Sequence, residues 1–248
     1  MINYLKSEGY RIAHMKSTYL MPLGINLFLL FALSTTWFAG LDDPGFPYNN
    51  ANFIFSFSRS AIALLSFLIP VVVNIIFDHE HTNGTFKNSV SYGIDRKTLY
   101  AGKLILMIVY SFMVTLITFI IFTFSTHLLM TSGTPSDTES QWAFFTAFFQ
   151  AIVPLLALLI FSHMLSFIIQ KTSTHWIIYT SSVVLSSVIF NFLNNRLGWN
   201  GLAFLRNVLP YELMNSGSYG WQAALTAFLF YSTISGLIGF RIFSESDV

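Results

Sequence analysis

The chain contains no cysteine, which excludes a disulfide framework, a thiolate metal site and a cysteine nucleophile. Charge is almost as scarce: only 9% of the residues are Asp, Glu, Lys or Arg, where a soluble domain carries roughly a quarter. No Gly-x-x-x-x-Gly-Lys-Ser/Thr loop occurs, since Gly102-Lys103 lacks both the first glycine and the hydroxyl residue, so nothing here cradles a nucleotide phosphate. The formal net charge of +1 says little about partners, and no nucleic acid is expected among them. Residues 1–17 are charged and no short apolar core with a small-residue cleavage site follows, so the first apolar run reads as a retained helix rather than a removable signal.

What the chain does have is apolar surface. Hydrophobic residues make up 54% of it, with 27 phenylalanines. They fall into six runs, at about Tyr19–Ala39, Ala61–Phe77, Leu104–Leu129, Trp142–Ile169, Trp176–Phe192 and Trp221–Phe243. A helix needs roughly 20 mostly apolar residues to cross a hydrocarbon core about 30 Å thick. Backbone amides find no water there, so only helices or closed barrels can span. The runs are continuous rather than alternating every second residue, which selects helices. The fold class is therefore all-α, a six-helix polytopic membrane protein forming one transmembrane domain over 1–248. The second run either starts at Ala61 or begins near Phe53, which would carry Arg59 to an interface. Arg59 at mid-membrane would cost roughly 2.5–3.5 kcal/mol on insertion scales.

Lys and Arg set the orientation. Lys6, Arg11, Lys16, Lys87, Arg96, Lys97, Lys103, Lys171 and Arg241 share one side, and only Arg59, Arg196 and Arg206 the other. Positive residues are retained in the cytoplasm, so both termini are expected there. Before the first span, residues 1–17 suit an interfacial amphipathic helix, with Ile2, Leu5, Gly9, Ile12 and Ala13 on one face. The cytoplasmic loop 78–103 follows the second span. Phe86 and Val90, four apart, give a short helix an apolar side. Gly93 can end it in a left-handed conformation. Asp95 can cap the next helix, with Ile94 and Leu99 as a hydrophobic staple. The loop is then a rigid knob between two spans, a mechanical element rather than a catalytic one.

Glu80, Gly84, Thr85, Lys87, Gly93, Arg96 and Lys103 on this loop resemble the pattern in permease subunits of type-2 ABC exporters, and six spans with an amphipathic helix before the first are similar to that family too. The resemblance implies that the loop, Phe86 included, seats in a groove of a separate cytosolic ATPase. That partner would hold ATP and Mg, leaving this chain with no cofactor of its own. It also implies a second permease copy or paralogue and a bacterial plasma membrane location. Permeases of this length look most like exporters of antimicrobial or toxin peptides: lantibiotic-immunity, bacitracin-resistance and phenol-soluble-modulin transporters. The segment 194–219, apolar over Leu202–Leu205 and Val208–Tyr211 but too short to cross, is similar to the family's re-entrant helices, broken here at Pro210.

Polar residues within the spans are Asn26, Asn74, Gln150 and His163, which serve either a substrate path or bonding between helices. Ser181, Ser182, Ser186 and Ser187 allow close helix approach and suit a packed or dimer surface. Pro70 and Pro154 are expected to kink their helices. Asp78-His79-Glu80-His81 lacks the His-Glu-x-x-His spacing of a zinc site, because Asn83 stands where the second histidine belongs. It reads as a polar cap, and no metal is expected. Two other classes remain: a non-transporting anchor or sensor, and an intramembrane hydrolase, which would need an acid or a paired nucleophile and base at membrane depth. No Asp or Glu falls within the spans as drawn. Composition favours export of hydrophobic or amphipathic molecules along an apolar path from the lipid.

Overall fold

The computed structural model describes residues 1–43, 45–83, 91, 93–130, 135–169, 171–197, 209–216 and 220–245; side chains at 78–83, 135, 197 and 216 lie outside that description. Those residues form helices α1 (Ile2–His14), α2 (Lys16–Asp42), α3 (Ala51–Ala61), a 3-10 helix (Ile62–Leu68), α4 (Ile69–Asn83), α5 (Arg96–Leu129), α6 (Pro135–Ile168), α7 (Thr172–Leu197), α8 (Pro210–Ser216) and α9 (Trp221–Glu245). Six segments are long and apolar enough to cross a membrane: Lys16–Asp42, Ala51–Phe77, Arg96–Leu129, Ser136–Ile168, Thr172–Arg196 and Trp221–Glu245. The protein is an all-helical multi-pass membrane protein. Each span outruns its apolar run, because a helix entering the headgroups keeps its own backbone bonds while its side chains turn polar. The second span takes the longer of the two expected forms, starting at Ala51 and leaving Arg59 on an exposed face.

Helix α6 is the hub, with α9 and α3 packed most extensively along it and α4, α8 and the 3-10 helix also against it. Its phenylalanines build much of the core: Phe119 of α5 stacks on Phe148 at 4.3 Å, and the fully buried Phe55 of α3 lies 5.6 Å from Phe144. Offset and edge contacts of this kind suit the ring quadrupoles. Asp137, in the first turn of α6, accepts the Asn52 N–H at 3.1 Å, while Asn50 accepts that of Phe53 at 2.7 Å. Two free amides at the start of α3 are thereby satisfied.

Two prolines explain two local features. Pro22 stands within α2 and has no N–H for the carbonyl of Thr18, four residues earlier. The Tyr110 hydroxyl of α5 donates to that carbonyl at 2.8 Å. Pro70 likewise withdraws a donor from Ser66. There the backbone tightens into the 3-10 helix, so that the Ile69 N–H serves Ser66 instead, and the hydroxyl of the fully buried Tyr179 adds a second bond at 3.0 Å. In lipid such freed carbonyls are met by a neighbouring helix or by a local 3-10 adjustment, and both occur here. Pro154 stands inside α6, which runs through it as one helix.

Helix α1 faces the bundle with Tyr4, Leu5, Glu8, Gly9 and Ile12, while Ile2 and Ala13 are exposed. Its inward face is thus rotated from the purely apolar one expected and includes a carboxylate. Met15, in extended conformation, separates α1 from α2.

Candidate functional site

The elbow joining α4 to α5 carries most of the residues singled out in the sequence. Gly84, Thr85, Phe86 and Lys87, and the side chain of Glu80, lie outside the described residues, as does the Asp78–His81 cluster's side-chain arrangement. Gly93 has φ of 85°, the left-handed region where a side chain would be strained. Asp95 occupies the N-cap position of α5 without a side-chain capping bond. Ile94 packs into the cluster of Leu99, Tyr100 and Phe243, so the apolar half of the expected cap is present and the polar half is not.

Arg96 turns away from the elbow. Its Nη1 donates to the carbonyls of Phe243 at 2.9 Å and Ser244 at 2.8 Å, meeting orphan acceptors at the C-terminal end of α9. A guanidinium there is favoured both by those carbonyls and by the helix dipole. Lys103 departs further from the expectation of a partner-facing residue. It lies about two turns into α5, on the side facing α1, and is wholly buried. Its Nζ stands 3.6 Å from Oε2 of Glu8 and 4.9 Å from the Phe77 ring centroid. The same Glu8 oxygen accepts from Arg11 Nη2 at 2.7 Å, and that nitrogen also donates to the Ile76 carbonyl at 3.0 Å. Both arms of the elbow are therefore tied to α1: α4 through the Ile76 carbonyl, α5 through Lys103. Gly102 makes the approach possible, since a Cβ there would stand 2.6 Å from the Tyr4 ring.

The four polar residues of the spans do not form one path. Asn26 Nδ2 donates to the Pro22 carbonyl at 2.7 Å and to Thr118 Oγ1 at 3.3 Å, joining α2 to α5. His163 is fully buried in an aromatic cage, with ring centroids 4.5 Å from Tyr100, 5.1 Å from Phe167 and 5.8 Å from Phe77. Asn74 and Gln150 are half-buried on α4 and α6. Nor do the serines of α7 form its outer face, which is Ile177, Leu185, Val188, Ile189 and Phe192. Ser182 and Ser186 bond to carbonyls of their own helix.

Three features escaped the sequence. Glu212 of α8 is buried and accepts from the Ser187 hydroxyl and, at 3.2 Å, from Asn191 Nδ2. Pro210 is the first residue of α8, a position where its missing N–H is no loss. Residues 198–208 of the expected re-entrant segment lie outside the described residues. Second, His175 Nε2 sits 3.2 Å from the Ser162 hydroxyl but also 3.1 Å from the Ser162 carbonyl oxygen. Both residues are buried, and the pair joins α7 to α6. Third, a cavity of about 390 Å³ opens at mid-span between α5 and α6, floored by the 3-10 helix. None of Asn26, Asn74, Gln150 or His163 lines it.

The two arms of the elbow are thus held to α1 by one ion cluster at the end of a helical bundle. The family model described as ABC-2 family transporter protein matches residues 5–194. The chain belongs to the ABC-2 transporter family. No curated protein matches the chain. In this ABC-2 chain the match runs from α1 nearly to the end of α7, so it takes in the Glu8–Arg11–Lys103 cluster and both arms of the elbow.

Proposed function

We propose that this chain is the membrane-spanning subunit of an ATP-driven exporter of hydrophobic or amphipathic molecules, antimicrobial or toxin peptides being the substrate class. A separate cytosolic ATPase binds ATP and Mg and engages the elbow through Glu80, Gly84, Thr85, Phe86, Lys87 and Gly93. A second copy or a paralogue completes the transporter, and the membrane is the bacterial plasma membrane with both termini inside. Arg96 and Lys103 act one step behind the contact, carrying displacement of the elbow into α9 and α1.

One observation carries this reading: Arg11 reaches the Ile76 carbonyl while Glu8 holds both Arg11 and Lys103. An ion pair fixed at 0% and 14% side-chain exposure resists separation, because parting it strands a charge away from water. A push on the elbow then moves α1, α4 and α5 together. The test is purification in mild detergent from the native membrane, followed by assay of the complex in vesicles. A soluble ATPase should accompany the wild-type chain, and Lys87→Glu or Gly84→Pro should abolish ATP-driven export while the protein remains in the membrane. Full export by both variants overturns the assignment.

A further inference from the structure

The outward side of α1 carries charge of one sign only. Glu8 is the one carboxylate among residues 1–41, and it turns into the bundle, where Arg11 and Lys103 share it. Lys6 and Lys16 are exposed, and neither has a hydrogen-bond or ion-pair partner among the described residues. Arg11, Arg96 and Arg241, by contrast, are bonded within the chain. Along α1 the exposed Ile2, Lys6, Tyr10 and Ala13 follow one another at spacings of four, four and three, which sets them in one row.

That row continues into the exposed apolar side of α2. Tyr19, near the start of α2, donates its hydroxyl to the Ala13 carbonyl at 2.7 Å. Leu20, Leu23, Leu27, Phe28 and Phe31 carry the exposed surface onward, along the span least buried in protein. Ile2 and Tyr10 are 70% and 68% exposed, and aromatic and aliphatic groups edged by lysine suit the boundary between headgroups and acyl chains. Continuity with the rim span makes the occupant a lipid. Two ammonium groups with no carboxylate beside them select an anionic one. We infer that the outer row of α1, together with Lys6 and Lys16, binds anionic phospholipid, the ammonium groups meeting the phosphate that a zwitterionic lipid would neutralise itself. The opposite side of the same helix holds both arms of the elbow, so lipid charge bears on the helix that clamps them.

The experiment reconstitutes the full chain in phosphatidylcholine vesicles doped with photoreactive phosphatidylglycerol or, separately, with phosphatidylcholine carrying the same diazirine close to the headgroup. At low salt, phosphatidylglycerol should label residues 2–20 in large excess over phosphatidylcholine, while residues 23–31 of α2 take up both equally. Lys6→Gln and Lys16→Gln should each cut that excess about fivefold, the worth of one lysine near an anionic surface, and the two together should bring it to the phosphatidylcholine level. High salt should do the same by screening. Lys171→Gln, at an exposed lysine between α6 and α7, should leave the excess unchanged. Equal labelling of 2–20 by the two lipids overturns the inference, and so does an excess that falls as far with Lys171→Gln, which would credit the whole basic rim. A double variant that keeps the wild-type excess but loses a co-purifying ATPase would give this face to the ATPase and overturn it as well.

Discussion

The first and second spans are built on opposite terms. Along Ala51–Phe77 56% of the most apolar window is buried in protein, along Lys16–Asp42 only 6%. The buried span is held by side-chain packing around Phe55, Val73, Ile76 and Phe77, all at 0% exposure. The peripheral span presents Phe28, Phe31 and Phe38 outward and is attached to α5 through polar bonds: Asn26 to Thr118 and Tyr110 to the Thr18 carbonyl. In lipid there is no hydrophobic drive between helices, because the tails are as apolar as leucine. A span on the rim must therefore be fastened by hydrogen bonds and by its neighbours at the ends, and here the end fastening is α1 with its ion cluster.

If α1 is the main fastening of the rim, breaking its charges should have the largest effect. Glu8→Ala removes the carboxylate that Arg11 and the buried Lys103 share and should destabilise the chain more than any of the substitutions below, seen as a lower unfolding temperature in detergent. Glu8→Ala with Lys103→Met, which removes both charges, should recover most of it; failure to recover would mean that α1 is held by packing alone. At the next level, Tyr110→Phe should cost about 1 kcal/mol by orphaning the Thr18 carbonyl. In a Pro22→Ala background the restored helix N–H should shrink that penalty, and an undiminished penalty would refute the proline explanation. Tyr179→Phe should cost less than Tyr110→Phe, since the Ile69 N–H still serves Ser66; unfolding titrations of the two variants side by side decide this. The smallest effect belongs to Asn26→Leu, about 0.6 kcal/mol, the mean for a hydrogen bond between membrane helices. A loss of several kcal/mol there would show that the rim span depends on that one amide.

Much of this architecture was legible in the chain. Six apolar runs marked six spans because hydrocarbon sorts residues by hydropathy over some twenty positions, a signal too long to be obscured locally. The family resemblance lay in a handful of elbow residues, and the match over residues 5–194 agrees with it. Local geometry was readable at Gly93, where the left-handed turn is intrinsic to glycine. What was hidden required knowing which helices touch. That Pro22 and Pro70 free the carbonyls of Thr18 and Ser66 follows from counting back four residues. That Tyr110 and Tyr179 answer them, from 92 and 113 positions away, does not. Lys103 looked like one more charge of the elbow, and only its place on the α1-facing side of α5 turns it inward. Glu212 looked like an interruption in a short apolar segment, yet Ser187 and Asn191 wait for it on α7.

The absence of cysteine makes the decisive measurement simple. A single Phe86→Cys variant can be treated with a membrane-impermeant maleimide in intact cells and in inside-out vesicles. A cytosolic elbow seated against an ATPase should label only in the vesicles, and more strongly once peripheral proteins are stripped away. Labelling in intact cells would place the elbow outside and contradict the proposed coupling.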